Sequence, residues 1–393
     1  MLWLLVLAIV PGCDQRTTTA QPTFPTFQDD LDFLQQHGEI QLLAAAHGGV
    51  VALSARYQGR VMTSAVSPEG LSAGYVNRSF IEAGETGTPF DNFGGEDRFW
   101  LGPEGGQFGL YFPPEVAFNL DTWQVPNEMQ TGAWDVSAAS DTSATFTRSM
   151  RLTNYSGTSF DLHVERTVRL LSERELASHF GAPVPAGLEW VAFETLNRVT
   201  NTGGDAWSPE SGLPSIWILC MYQPFGTSWV VVPFEGSPAG EVVSSYFGEI
   251  PPERLEVRES YSLFKADGGF RSKIGVAPDR ARPVLGSYSP EAGLLTLVSF
   301  TLPENARRYV NSQWEIQEHP YDGDVVNSSN DGPPGAGGFY EMESSSPALE
   351  LAPGESYTHS HRTLHVEGSA LELDELVRAA FGVSASEIEA GIL

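Results

Sequence analysis

Residues Thr145–Leu171 read TFTRSMRLTNYSGTSFDLHVERTVRLL. Asn154-Tyr155-Ser156-Gly157 divides this stretch into two runs, Thr145–Thr153 and Ser159–Leu171. Two β-favouring runs joined by turn residues predict a hairpin. In the second run Phe160, Leu162, Val164, Arg166, Val168 and Leu170 fall at every second position, so a strand projects them from one face. An arginine on such a face must be paired if buried, or else the face lines a wet cleft. A core ion pair is the expected account.

The same pattern extends in both directions. Val50–Arg56 and Arg60–Val66 flank Tyr57-Gln58-Gly59, and Glu256–Lys265 and Phe270–Val276 flank Asp267-Gly268-Gly269, a hairpin signal. Further strands are expected at Trp190–Val199, Ser215–Tyr222, Trp229–Pro233, Val284–Tyr288, Leu294–Thr301, Gly338–Glu343 and Ser356–Val366. Strands do not alternate with long helices, which excludes a doubly wound parallel sheet. Helices are expected only at the ends. Phe27, Leu31 and Leu34 form a stripe over Phe27–His37, with Thr26 as N-cap and Gly38 as stop. Leu373, Leu376, Val377, Ala380 and Phe381 form another, ended by Gly382, and Ser384-Ala385-Ser386-Glu387 caps a last short helix. The fold class is all-β: a large antiparallel sandwich over residues 27–368, followed by a helical segment at 369–393.

The charge and the N-terminus bear on location. The 393 residues carry 50 Asp+Glu against 22 Lys+Arg, a formal charge of −28. Such a surface repels phosphate backbones and anionic lipid heads, so nucleic acid is excluded as a partner. Residues 1–12 are an apolar run of signal-peptide length, ending in Val10-Pro11-Gly12-Cys13, which resembles a bacterial lipobox. Cys13 is the expected lipidation site and 13–26 a tether. Asp14 behind it suggests the periplasmic face of the inner membrane, within the bacterial cell envelope. Cys220, the other cysteine, lies in an apolar run and reads as a core thiol.

Four segments can carry chemistry. Gly94–Gly106 brackets Glu96, Asp97, Arg98, Trp100 and Glu104 between glycine pairs. Arginine, carboxylates and a flat aromatic suit sugar hydroxyls and rings, and a structured loop with an internal Arg98 pair fits equally. Trp314, Gln317 and His319 can again serve a saccharide, while Asp322 and Asp324 read as an Asx-turn loop. Glu341 and Glu343 share a strand face, where two carboxylates can raise one pKa. His359, His361 and His365 also share a face; hydrogen-bonding roles are expected, and no metal or cofactor is assigned. No GxSxG, Walker, HExxH, CxxC or Rossmann pattern occurs in the required setting.

Three stretches together resemble the galactose mutarotase-like (aldose 1-epimerase-related) superfamily, in a bacterial lipoprotein branch. They are Gly94–Gly106, Glu194-Thr195-Leu196-Asn197-Arg198-Val199-Thr200-Asn201-Thr202-Gly203, and the tail from Tyr340 through Pro353-Gly354-Glu355 to His365. The resemblance covers most of residues 40–366 and implies a β-supersandwich that binds a carbohydrate in an open concave cleft. It makes Glu343 the counterpart of the glutamate that takes the anomeric proton in mutarotases. Their histidine motifs should fall near Gly94–Trp100 and after Thr200–Gly203, and neither place holds a histidine. The implied protein is a lipid-anchored carbohydrate binder, with Glu343 as base, Arg98 beside it, and Trp100, Glu104, Trp314, Gln317 and His319 on the sugar. The alternatives are a non-catalytic sugar-binding or assembly module, and a glycosidase or lyase with a relocated acid.

Overall fold

The computed structural model describes residues 24–236, 242–332 and 338–392. The leader 1–12, Cys13 and the tether up to residue 23 lie outside them. Helix α1 (Phe27–His37) begins at a reciprocal cap, in which Thr26 Oγ1 accepts the Asp29 N–H and the Asp29 carboxylate accepts the Thr26 N–H. Strands β1 (Gln41–Ala44), β2 (Val50–Ser54) and β3 (Arg60–Ala65) then form a three-stranded sheet. Helix α2 (Arg78–Ala83), β4 (Arg98–Gly102) and α3 (Asn127–Gln130) precede β5 (Asp135–Ala139), β6 (Ser143–Thr153) and β7 (Ser159–Leu170). Past α4 (Glu173–Phe180) come β8 (Trp190–Asn201), β9 (Ser215–Tyr222), β10 (Trp229–Pro233), β11 (Leu255–Val257) and β12 (Tyr261–Lys265). The rest is β13 (Ser272–Val276), β14 (Val284–Ser289), β15 (Leu294–Phe300), β16 (Val326–Asp331), β17 (Phe339–Ser345), β18 (Ser356–Glu367), α5 (Ala370–Phe381) and α6 (Ala385–Ala390).

Two antiparallel sheets make the body. One runs β11-β12-β10-β14-β15-β18-β8-β7-β6-β5, the other β13-β16-β17-β9-β4. Between them lies an apolar core that includes Phe146, Val164, Phe193 and Phe264 with Phe99, Ile218 and Met342. The opposite face of the ten-stranded sheet is covered by α4, α5 and α6, whose Leu176, Leu376 and Ile388 join Val231, Leu295 and Leu364. The hairpin β6–β7 pairs Thr153 with Ser159 as its sequence predicts.

Arg166 is fully buried on the inner face. Its Nη2 donates to Asp97 Oδ1 at 2.6 Å and its Nε to the Gly59 carbonyl at 2.9 Å. Nη1 donates to Asn197 Oδ1 at 2.5 Å. The core ion pair expected from strand parity is present.

The Asp267-Gly268-Gly269 turn is not a hairpin. β12 pairs with β10 and β11 in the large sheet, whereas β13 pairs with β16 in the small one. Turn chemistry fixes the local backbone only; the partner of each arm is chosen by long-range packing. The turn docks on the small sheet through Gly268 N–H, which donates to Asn330 Oδ1 at 2.7 Å.

Candidate functional site

Strand parity sorts the five-stranded sheet into two chemistries. Phe99, Leu101, Ile216, Ile218 and Met342 turn into the core. The alternate residues, Arg98 and Trp100 on β4, Trp217, Leu219 and Met221 on β9, Glu341 on β17, Ser329 on β16 and Lys273 on β13, floor a cleft of about 180 Å³. Register aligns them in rows: Lys273, Ser329, Glu341 and Met221 in one, Asn327, Glu343, Leu219 and Arg98 in the next. Glu104, Trp123 and Trp314 close the sides.

The Gly94–Gly106 segment reads as a loop in the sequence, but its centre is strand β4, buried throughout. Its glycines meet protein. A Cβ on Gly94 would lie 2.0 Å from the Tyr75 carbonyl oxygen, and one on Gly95 would lie 2.1 Å from Arg60 Cδ. Gly105 and Gly106 likewise lie against Gln313 and the Gln317 side chain, which seats the 313–317 segment and brings Trp314 to Glu104. The Trp123 and Trp314 rings lie 6.3 Å apart at 21°, and Trp123 Nε1 donates to Glu104 Oε1 at 2.8 Å.

Arg98 pairs with neither Glu96 nor Asp97. Its Nη2 donates to Glu341 Oε1 at 2.8 Å, across 243 positions of sequence. The guanidinium lies 4.1 Å over the Trp100 ring and 5.2 Å from that of Phe90. Its Nε and Nη1 have no hydrogen-bond partner among the described residues. The second Glu341 oxygen accepts from Ser329 Oγ at 2.5 Å. Burial pushes Glu341 up to about 7, with Arg98 opposing and the Glu343 charge adding to the rise.

Glu343 stands on the same face of the sheet but is covered by Trp217 and Lys273. It has no exposure, and one oxygen accepts from Trp217 Nε1 at 2.8 Å and Lys273 Nζ at 2.9 Å. Its other oxygen has no partner among the described residues. Burial would lower the Lys273 pKa, yet Glu343 and Glu104 outweigh it and raise the ammonium above its usual range. Burial also raises Glu104. Asp324, which shares a small adjoining hollow with Lys273 and is hydrogen-bonded by Tyr246, is raised by burial to about 6. For Glu341 and Asp324 the folded pKa exceeds the unfolded value of about 4. Their contribution to stability is therefore whole below pH ~4 and is lost as pH rises through about 6 and 7.

Of the residues singled out from sequence, Arg98, Trp100, Glu104 and Trp314 line one cleft. Gln317 does not: its side-chain amide donates to the Asn311 and Gln313 carbonyls at 3.1 and 2.8 Å, holding the loop that carries Trp314. His319 does not either, because its side chain is 69% exposed on an outer turn near Asp322. Sequence reasoning missed Lys273, Trp123 and Trp217. Lys273 carried one faint signal, as one of only two lysines in the chain.

The three histidines of β18 are buried between the sheets. His359 Nε2 and His361 Nδ1 share the Ser344 hydroxyl at 2.8 and 2.9 Å, and burial lowers them to about 3 and about 4, so both are neutral at pH 7. Asp97, Cys220 and His361 offer ligand atoms within 4.8 Å of one another. The Asp97 oxygens already accept from Arg166 and from Thr195 Oγ1 at 3.0 Å, so a cation would compete with a guanidinium.

The architecture matches solved structures over 84% of this chain. One, provisionally assigned as an aldose 1-epimerase, is from Escherichia coli K12; it is 14% identical, covered over 99% of its length, with a TM-score of 0.52. A galactose mutarotase-like protein from Lactobacillus casei ATCC 334 is 12% identical, again covered over 99% of its length, with a TM-score of 0.48. The fold is that of the galactose mutarotase-like proteins, an antiparallel β-sandwich. No curated protein matches the chain in sequence. Residues 25–392 match the model of a family described as "Family of unknown function (DUF6786)", and with nearly the whole chain inside that match, the protein belongs to this family.

Proposed function

We propose that the protein binds a carbohydrate in the cleft of the five-stranded sheet and acts on it by proton transfer at Glu341. The observation that carries this reading is a carboxyl poised at about 7 on the floor of an aromatic-lined cleft, held at 2.8 Å by an arginine. A group with a pKa near the working pH is an effective acid and base in turn. The partly exposed Trp123 and Trp314 give a sugar apolar surface, and Glu104 with Lys273 gives hydrogen-bonding partners. Glu341 takes the role that the sequence resemblance gives to Glu343, whose carboxylate is locked by Lys273 and Trp217. The fold likeness supports the substrate class by analogy. Glu104 and Glu341 on one cleft also favour a second reading, glycoside hydrolysis by two carboxyls. Anomer exchange without release of a reducing end separates the first from the second.

A panel of mono- and oligosaccharides, screened for thermal stabilisation and turnover, identifies the sugar. Glu341→Gln keeps an acceptor for Arg98 and turns an N–H toward the Ser329 hydroxyl, which can accept it, so folding and binding should persist while turnover falls by about 10²–10⁴-fold. The pH–rate limb near 7 should disappear with it. An unchanged rate and limb in the variant would remove Glu341 from the chemistry.

The proposal includes attachment to the cell envelope at Cys13, on the periplasmic face of the inner membrane. It rests on the apolar run and its lipobox-like ending. Cys13→Ser should move the protein from the membrane to the soluble fraction. A wild-type protein already soluble in a bacterial host would contradict the anchor.

A further inference from the structure

The cleft has an outer half that the acid–base reading does not use. A second hollow of about 470 Å³ shares Glu104, Leu120, Phe247, Arg271, Lys273 and Trp314 with the inner one and extends past Tyr246 and Gln313. The inner hollow alone is smaller than the roughly 300–1,000 Å³ of a typical ligand site, and the outer falls within that range. A ligand that fills the site therefore spans both, with Glu104, Lys273 and Trp314 at the junction.

The cation at the mouth is unlike the others in the cleft. Arg98 and Lys273 each hold a carboxylate, at 2.8 and 2.9 Å. Arg271 is exposed, and no hydrogen bond or ion pair engages it among the described residues; its guanidinium lies 4.3 Å over the ring of Phe247. That ring is itself 43% exposed, a large apolar surface beside a free fork of donors. An arginine seated over an aromatic ring keeps N–H groups that can grip a carboxylate or sulfate through two parallel bonds. The chain's charge of −28 repels anions at long range. Screening confines that repulsion to about 8 Å at physiological ionic strength, whereas Arg271 acts at contact. Asp331, Glu104, Glu315 and Glu341 are the acids on the lining of the two hollows, and burial shifts Glu104 and Glu341 toward their neutral forms.

We infer that the cleft takes an acidic oligosaccharide, with at least two sugar residues, an anionic substituent on Arg271 and the adjoining ring against Phe247. This rests on the carbohydrate reading of the site and adds length and charge to it.

Matched oligomers test it by calorimetry on the full chain: trigalacturonate against galactotriose, trimannuronate against mannotriose, and a sulfated galactobiose against galactobiose. At least one acidic member should bind tenfold or more tightly than its neutral partner. Arg271→Gln should erase that preference, weakening the acidic member of each pair more than its neutral partner. A sulfated rather than a carboxylated winner identifies the anion and still supports the inference. Neutral partners binding as well as acidic ones, or Arg271→Gln leaving the preference intact, would overturn it while sparing the carbohydrate reading. No binding by any member would overturn both.

Discussion

Gly94→Ala is expected to destabilise the protein by about 2–5 kcal/mol, combining left-handed backbone strain with overpacking against a fixed neighbour. The residue has φ +80°, and the added methyl would sit 2.0 Å from the Tyr75 carbonyl oxygen. That oxygen cannot retreat, because it accepts the Gly95 N–H at 2.8 Å. Gly84→Ala provides the contrast. It has φ +65° with nothing within 4 Å of the position a methyl would take, so only the backbone cost of about 1–2 kcal/mol applies. Urea midpoints of the two variants separate steric crowding from backbone preference. Equal, small losses would show that the Gly94 crossing can open, and with it the start of β4.

Arg166→Met is expected to cost about 3–5 kcal/mol, since it strands the Asp97 carboxylate in a dry core. The same substitution leaves the Gly59 carbonyl and Asn197 Oδ1 without their donor. The double variant Arg166→Met, Asp97→Leu should recover part of the loss, because removing both charges also removes the cost of burying one alone. Denaturant titration of both variants checks this. A double variant no more stable than Arg166→Met would mean that Asp97 matters through Thr195 rather than through the arginine.

These two residues mark the boundary between what the chain makes legible and what it does not. Arg166 is legible because strand parity is a local rule, and its neighbours Leu162, Val164 and Val168 are apolar on the same face. Both ends of α1 and the close of α5 are legible for the same reason, since Thr26, Gly38 and Gly382 act within one turn. Gly94 is not, because a glycine pair looks alike in sequence whether it meets a ligand or the backbone of Tyr75. The Asp267–Gly269 turn misleads because its two arms choose different sheets. Glu341 and Glu343 have the same parity, and only the cover of Trp217 and Lys273, from other strands, buries Glu343 while Glu341 lines the cleft. Lys273 is hidden because its carboxylate partner lies 70 positions away.

The turn that joins the sheets also bears on how a ligand gets in. Arg271 stands next to β13, one edge of the small sheet, and the chain before it leads straight back into β12 of the large one. Arg254 holds Asp267 at the base of this link. That side of the cleft is stitched, and it cannot swing outward without peeling β12 from β10. The opposite side is different: residues 103–126 between β4 and α3 contain no strand or helix, and they carry Leu120, 60% exposed, and Trp123. Segments of this kind open at lower free energy than paired strands. The buried Leu110, Tyr111, Phe112 and Val125 pin both ends of this segment, so opening for the proposed ligand is confined to the exposed turn around Leu120.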